Sequence, residues 1–248
     1  MIPSLRAVVV GGTKGLGRVV VRRFLSRGYA VAVISRSPPT DEELCARVAH
    51  VPCDLESLTD ATGVARRLEA LGGAINYLVF CQRYRGKGDP WQGELQVSLT
   101  ATQQLILALL SQFATTGDRA VAVVSSVYAS FVGGSQPASY HVAKAGLNQL
   151  VRYYAWTLGQ HRIRVNAVMP LTYLKQESRD HHLCNAPLMD LYRRFVPLRR
   201  MGTTDDSANL IDFLCSDKSA FVTGQTIYVD GGVSVVWPEQ VARDLTGL

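Results

Sequence analysis

The sequence predicts an α/β fold, a doubly wound parallel sheet with helices on both faces. Three observations predict it. Short β-rich apolar runs alternate with amphipathic helical stretches along the whole chain. A glycine-rich turn directly follows the first of those runs. The composition is 47% hydrophobic and 19% charged over 248 residues, enough apolar material for a sizeable core and too little charge for extensive disorder. No internal repeat, low-complexity tract or linker divides the chain, so residues 1–248 read as one domain.

The first strand, at 7–10, runs into Gly11-Gly12-Thr13-Lys14-Gly15-Leu16-Gly17, and an amphipathic helix continues to about Ser26. A strand, a glycine turn and a helix N-terminus bring backbone amides and a helix dipole to a pyrophosphate. The spacing is G-x-x-x-G-x-G, and Val20 stands where the third glycine of G-x-G-x-x-G would fall. A second strand at 30–34 ends at Ser35-Arg36. An NAD site usually places a carboxylate there for the ribose hydroxyls, whereas an arginine suits the 2′-phosphate of NADP. Lys14 offers a second cation, so the expectation is NADP(H) over NAD.

A third strand at 48–51 precedes Cys53-Asp54-Leu55, and a helix follows over about 58–71. A strand at 77–81, a helix over 93–113, a strand at 119–124 and a helix over 138–159 come next. The chain closes with a strand at 164–168, an irregular region to about Met201, a helix at 205–214 and a strand at 226–229.

The chemistry concentrates between Ala120 and Lys144. The apolar run ends in Ser125-Ser126, and the next helix carries Tyr140 and Lys144 in its first turns. Residues four apart share a helix face. An isolated phenol has a pKa of about 10, so bringing it near 7 needs roughly 4 kcal/mol. One charge at ~4 Å supplies about that at an effective dielectric of ~20. A lysine one turn away is therefore expected to make Tyr140 a general acid/base.

With both segments read, the chain resembles the short-chain dehydrogenase/reductase family over nearly its whole length. The resemblance rests on VVVGGTKGLG at the turn, CDL at 53–55, SS at 125–126, YHVAK at 140–144, IRVNAVMP at 163–170 and FVTGQTIYVDGG at 221–232. The last piece is similar to the final strand of the family's carrier-protein and sugar reductases. The resemblance implies a Rossmann-like fold and an NADP-dependent reaction between a carbonyl and an alcohol. It puts Gly11, Thr13, Lys14, Gly15, Leu16 and Gly17 around the pyrophosphate and adenosine, Ser35 and Arg36 at the 2′-phosphate, and Asp54 with Leu55 at the adenine. Cys81, Gln82, Pro170 and Leu171 would meet the nicotinamide side. Tyr140 would exchange a proton with the substrate oxygen, Lys144 would hold the ribose and depress the phenol, and Ser126 would bind the oxygen, with Ser125 as second candidate. From Ser126 to Tyr140 is 14 residues, one more than the family's usual gap.

Departures from the family pattern are equally specific. The threonine before the first turn glycine is Val10, and N-N-A-G after the fourth strand is Phe80-Cys81-Gln82-Arg83. The relay asparagine of the following helix is Ser98, kept as a catalytic candidate that would hold the relay water, Pro-Gly after the sixth strand is Pro170-Leu171, and a later threonine is Lys175. Arg83, Arg85 and Lys87 crowd one loop and Lys175 the facing one, which suggests an anionic small-molecule substrate such as a nucleotide sugar, a carboxylate or a carrier thioester. Residues 172–200 are expected to form a lid, with His181, His182, Arg193 and Arg194 as candidate contacts. The adjacent histidines face different ways on a helix and suggest no metal site.

The net charge of +6 permits nucleic-acid binding, but the basic residues are dispersed and no recognition module is visible. No apolar run is long enough to cross a bilayer and no secretory leader is evident. The five scattered cysteines read as reduced thiols of a cytoplasmic protein. Broad apolar faces on the helices at 93–113 (Leu105, Ile106, Leu109, Leu110) and 138–159 (Leu147, Leu150, Val151, Tyr154, Leu158) suggest a homodimer or homotetramer. The alternative to an enzyme is a non-catalytic or weakly catalytic NADP-binding sensor or partner protein on the same fold.

Overall fold

The computed structural model describes residues 5–175, 177 and 183–248. A seven-stranded parallel sheet runs through it in the order β3-β2-β1-β4-β5-β6-β9. The strands are β1 (Arg6–Val10), β2 (Ala30–Ser35), β3 (Val48–Pro52), β4 (Tyr77–Phe80), β5 (Ala120–Val124), β6 (Arg164–Pro170) and β9 (Thr226–Val229). The remaining two, β7 (Tyr173–Leu174) and β8 (Gly202–Thr203), pair with each other beyond the carboxyl edge of the main sheet.

Alternation of side chains along each strand divides the core into two layers. Val8, Val10, Ile34, Leu78, Phe80, Val121 and Val123 point to the face covered by α3 (Thr62–Ala70), α5 (Ala101–Leu109) and α6 (Ala138–Gly159). Ala7, Val9, Val31, Val33, Tyr77, Val79 and Ala122 point to the other, against α1 (Gly15–Ser26) and α8 (Thr204–Leu214). Both faces of every central strand are thus apolar, as a sheet covered on both sides requires.

The sequence pattern joins residues 93–113 into one helix, and the structure holds a continuous helical run from Pro90 to Gln112 whose middle is π-helical. Asp89 caps α4 (Pro90–Glu94) by accepting from the Trp91 amide at 2.9 Å, a π-helical turn covers Leu95–Thr100, and α5 follows. Two helices were not anticipated, α2 (Glu42–Arg47) and α9 (Pro238–Thr246). Six residues are too few for apolar periodicity to be read. The region expected to be irregular before Met201 also holds α7 (Ala186–Phe195). Leu105, Ile106, Leu109, Leu147, Val151, Tyr154 and Leu158, expected at an interface, are already buried within this chain. All five cysteines are free, and among the described residues no helix is long and apolar enough to cross a membrane.

At the amino edge of β6 the buried Arg164 guanidinium ties three elements together. It pairs with Asp118 at 2.9 Å and donates to the Leu214 carbonyl at 2.8 Å, the Ser216 carbonyl at 3.0 Å and the Ser219 hydroxyl at 2.7 Å. Methionine there would leave several buried acceptors unpaired, and losing one partner of a buried pair costs about 3 kcal/mol or more. Arg164→Met should lower the chemical-denaturation stability by roughly that amount; a change below about 1 kcal/mol would show that water replaces the guanidinium.

Candidate active site

A cavity of about 820 Å³ opens at the carboxyl edge of the sheet, between the glycine turn and the start of α6. This is where open α/β sheets bind ligands. The turn is shaped by what a side chain would hit. Gly11 has φ +76°, and a Cβ there would lie 2.9 Å from the Gln82 nitrogen; one on Gly17 would lie 2.2 Å from the Gly11 carbonyl oxygen. At the N-terminus of α1 the Gly15 amide donates to the Glu177 carboxylate at 3.0 Å, and Arg18 pairs with the same oxygen at 2.9 Å. An anion held by the first amide of a helix marks a site built for negative charge.

At the other end Ser126, Tyr140 and Lys144 come together. Tyr140 is 9% exposed and Lys144 is 3% exposed. The Lys144 ammonium donates to the Val124 carbonyl at 2.9 Å, and Nζ lies 5.6 Å from the Tyr140 ring centroid. The Ser125 hydroxyl is spent on the Lys144 carbonyl at 3.1 Å, whereas Ser126 caps a short turn by accepting from the Tyr128 amide at 3.2 Å. Ser126 is thus the serine oriented to the cavity chemistry.

The expected tuning of Tyr140 needs correction. Burial pushes its phenol above the usual value, and the opposing influences are the Ser126 hydroxyl and the Arg83 guanidinium, not Lys144. Arg83 lies over the tyrosine ring with its guanidinium carbon 5.0 Å from the centroid. Lys144 itself is pushed down to about 8 by burial, with Glu94 raising it and Arg83 lowering it. The site thus holds a phenol that keeps its proton through neutral pH beside a lysine that gives up its own at a lower pH than usual.

Gly11, Thr13, Lys14, Gly15, Leu16 and Gly17 line the cavity, as do Ser35, Arg36, Asp54 and Leu55 at the β2–β3 end. Cys81, Gln82, Pro170 and Leu171 complete the far side. Ser98 does not reach the cavity wall. It is buried, and its hydroxyl is directed to the Glu94 carboxylate at 3.4 Å. Arg83, Arg85 and Lys175 all line the cavity, while Lys87, Arg193 and Arg194 do not. Arg194 is turned to the Asp244 and Leu245 carbonyls at the end of α9. His181 and His182 lie outside the described residues.

Tyr173 and Glu177, which line the cavity, are not singled out by the sequence, nor is Glu94, which is buried and accepts from Ser98. Glu94 had a legible signal, since it stands one turn before Ser98 on the same helix face. Burial also pushes the Cys81 thiol up to about 12, so it is no thiolate at neutral pH.

A family profile described as "Enoyl-(Acyl carrier protein) reductase" matches residues 10–234. The chain belongs to the short-chain dehydrogenase/reductase family. Among its relatives, an L-rhamnose 1-dehydrogenase (NAD(P)(+)) from Sphingomonas is 34% identical, the match covering 95% of this chain and 98% of that protein. The rhamnolipids biosynthesis 3-oxoacyl-[acyl-carrier-protein] reductase of Pseudomonas aeruginosa is 28% identical over 91% of this chain and 94% of its own length. The solved Pseudomonas aeruginosa RhlG/NADP active-site complex superimposes with a TM-score of 0.82 at 26% identity, covering 94% of this chain and 97% of that one.

Members of this short-chain dehydrogenase/reductase family are oxidoreductases that use a nicotinamide cofactor, and the residues present fit one. Gly15 is open to the cavity, a Cβ there meeting only the Lys175 side chain at 3.8 Å, the helix N-terminus already holds a carboxylate, and Gln82 Oε1 is buried without a hydrogen-bond partner. The Glu177 carboxylate stands where a phosphate would compete for the Gly15 amide and Arg18. Glu177→Gln should therefore tighten NADPH binding several-fold in a fluorescence titration; weaker binding would show that the carboxylate assists the nucleotide.

Proposed function

We propose that this protein is an NADP(H)-dependent oxidoreductase that interconverts a carbonyl and an alcohol on a small anionic substrate. The observation that carries the reading is the meeting of Ser126, Tyr140 and Lys144 at one end of a cavity whose other end presents the glycine turn and Arg36. When bound, the nicotinamide would supply or accept the hydride. Every remaining task falls to this chain's side chains. The Ser126 hydroxyl donates to the substrate oxygen and polarises it, and Tyr140 gives that oxygen a proton during reduction or takes one during oxidation. Lys144, fixed by the Val124 carbonyl, holds a positive charge beside the phenol and offers N–H donors to the ribose. Arg36 and Lys14 favour a 2′-phosphate, since no carboxylate follows β2 to hold free ribose hydroxyls.

Because burial holds the phenol above its ordinary value, the proton-donating form prevails through neutral pH. Reduction should therefore be flat through neutral pH and fall on the alkaline side, while oxidation should rise as pH increases. A carbonyl and alcohol panel assayed with NADPH and NADH tests this, with Tyr140→Phe as control. Turnover should drop by about 10²-fold or more in the mutant, the scale of lost general acid–base catalysis, with NADPH binding kept. Undiminished turnover would end the reading, and binding without turnover in the unmodified protein would support the sensor alternative.

The anionic character of the substrate rests on Arg83, Arg85 and Lys175. They crowd one side of the cavity, and burial together with the charges of Arg85 and Arg83 pushes the Lys175 ammonium below its ordinary value. Like charges held this close are relieved by a bound anion. The double substitution Arg83→Gln, Arg85→Gln should raise the KM for an acidic substrate at least about tenfold, the value of 1.4 kcal/mol of lost charge pairing. An unchanged KM would assign the cations to solvent. Exposed Leu107, Tyr153 and Trp156, on α5 and α6, supply the apolar surface for a homodimer or homotetramer.

A further inference from the structure

Arg83, Arg85 and Lys175 all line the cavity, but they do not stand in equivalent places. Lys175 lies by the glycine turn: its side chain is what a Cβ on Gly15 would meet, at 3.8 Å, and its ammonium is 5.5 Å from the Tyr173 ring centroid. Arg83 stands at the reacting end. Its guanidinium carbon is 5.0 Å from the centroid of the Tyr140 ring, the same ring that Lys144 Nζ approaches at 5.6 Å. It arrives there from the loop after β4, at a position where the family pattern has a glycine and so no side chain.

This guanidinium is oriented but not neutralised. Its Nη2 donates to the Gln136 side-chain oxygen at 2.6 Å, a neutral partner on the loop that leads into α6. Among the described residues no carboxylate forms an ion pair with Arg83. A guanidinium carries five N–H donors in a planar fork that matches a carboxylate, and one bond to an amide leaves most of the fork unused. Stacking on Tyr140 and the bond to Gln136 fix the plane of the fork without supplying its anion.

Spacing then narrows the chemistry. The phenol that exchanges a proton with the substrate oxygen and the guanidinium that takes the anion belong to one stacked pair. Hydrogen bonds from the two donors span about 2.8 Å each, and a C–C bond spans about 1.5 Å. Between a carbonyl held by Tyr140 and a carboxylate held by Arg83 there is room for only a few bonds.

We propose that Arg83, oriented by Gln136, is the specificity-determining residue of the site, binding a carboxylate carried on the reacting carbon or on the carbon next to it. The substrate pair is then a 2- or 3-oxo acid and its hydroxy acid. The proposal rests on the oxidoreductase reading and deepens it, because it places the negative charge beside the reacting carbon and not at the far end of a nucleotide sugar or carrier thioester. In reduction the carbonyl carbon takes a hydride from the nicotinamide, its oxygen takes the Tyr140 proton, and the carboxylate stays bound and unchanged.

A ladder of one chain length tests it: 2-, 3- and 5-oxohexanoate with NADPH, each beside its methyl ester. The 2- or the 3-oxo acid should exceed the 5-oxo acid in kcat/KM by about tenfold or more, and its own ester by a similar factor, the scale of one lost charge pairing. Arg83→Lys, which keeps the charge but not the fork, should raise the KM for the preferred acid several-fold, and Arg83→Gln should raise it about tenfold or more. A fall in kcat with KM kept would mean that Arg83 acts on Tyr140 and not on the substrate, which overturns the proposal. Equal rates along the ladder, or esters equal to acids, would overturn it too and leave the oxidoreductase reading intact. Should no oxo acid be reduced, ligand-observed NMR decides, comparing 2- and 3-hydroxyhexanoate with hexanoate and 5-hydroxyhexanoate. Tighter binding of the 2- or 3-hydroxy acid, lost in Arg83→Gln, would keep the carboxylate subsite and end the proposed function. Equal or absent binding would overturn the subsite as well.

Discussion

A buried ammonium needs an acceptor, and for Lys144 that acceptor is the Val124 carbonyl at 2.9 Å. The bond spans the junction where β5 ends and α6 crosses it. A second bond, from the Ser125 hydroxyl to the Lys144 carbonyl at 3.1 Å, fixes the same junction from the strand side. The last residue of a central strand is thereby joined to the first turns of the longest helix, and Ser126 and Tyr140 inherit their positions from that joint. An unpaired charge at this depth would cost several kcal/mol, so the strand end and the helix start cannot drift apart independently. The relative placement of Ser126 and Tyr140 follows from the requirement to satisfy a lysine.

The fold was legible because its physics is local and repeated. Short apolar runs alternating with helical stretches leave few arrangements besides a parallel sheet covered on both sides, and that sheet is present with its strands in the doubly wound order. The glycine turn was legible for a related reason: Gly11 and Gly17 stand where a Cβ would strike backbone. Less visible were properties that depend on partners distant in sequence. Tyr140 was expected to be acidified by a neighbour four residues away, yet its surroundings include burial under the cavity wall and Arg83 from another loop. Burial has no local signature, and here it outweighs the nearby charges. The apolar breadth of α5 and α6 was likewise ambiguous, because a helix packed between a sheet and a neighbouring helix shows the same pattern as one at a subunit interface. Leu105 and Leu147 serve the first purpose, and Trp156, at 72% exposure, is free for the second.

The departures from the family pattern, read one at a time, look like losses. Arg83 stands in place of a glycine, Ser98 in place of an asparagine and Lys175 in place of a threonine. In three dimensions they form a charge system. Arg83 lies on the Tyr140 ring and favours the deprotonated forms of both the phenol and Lys144. Glu94 favours the protonated forms of the same two groups. The two influences offset each other at the pair that would move the proton, while Arg83, Arg85 and Lys175 leave the cavity itself positive. A site gathering cations for an anionic ligand tends to strip the proton from its own lysine.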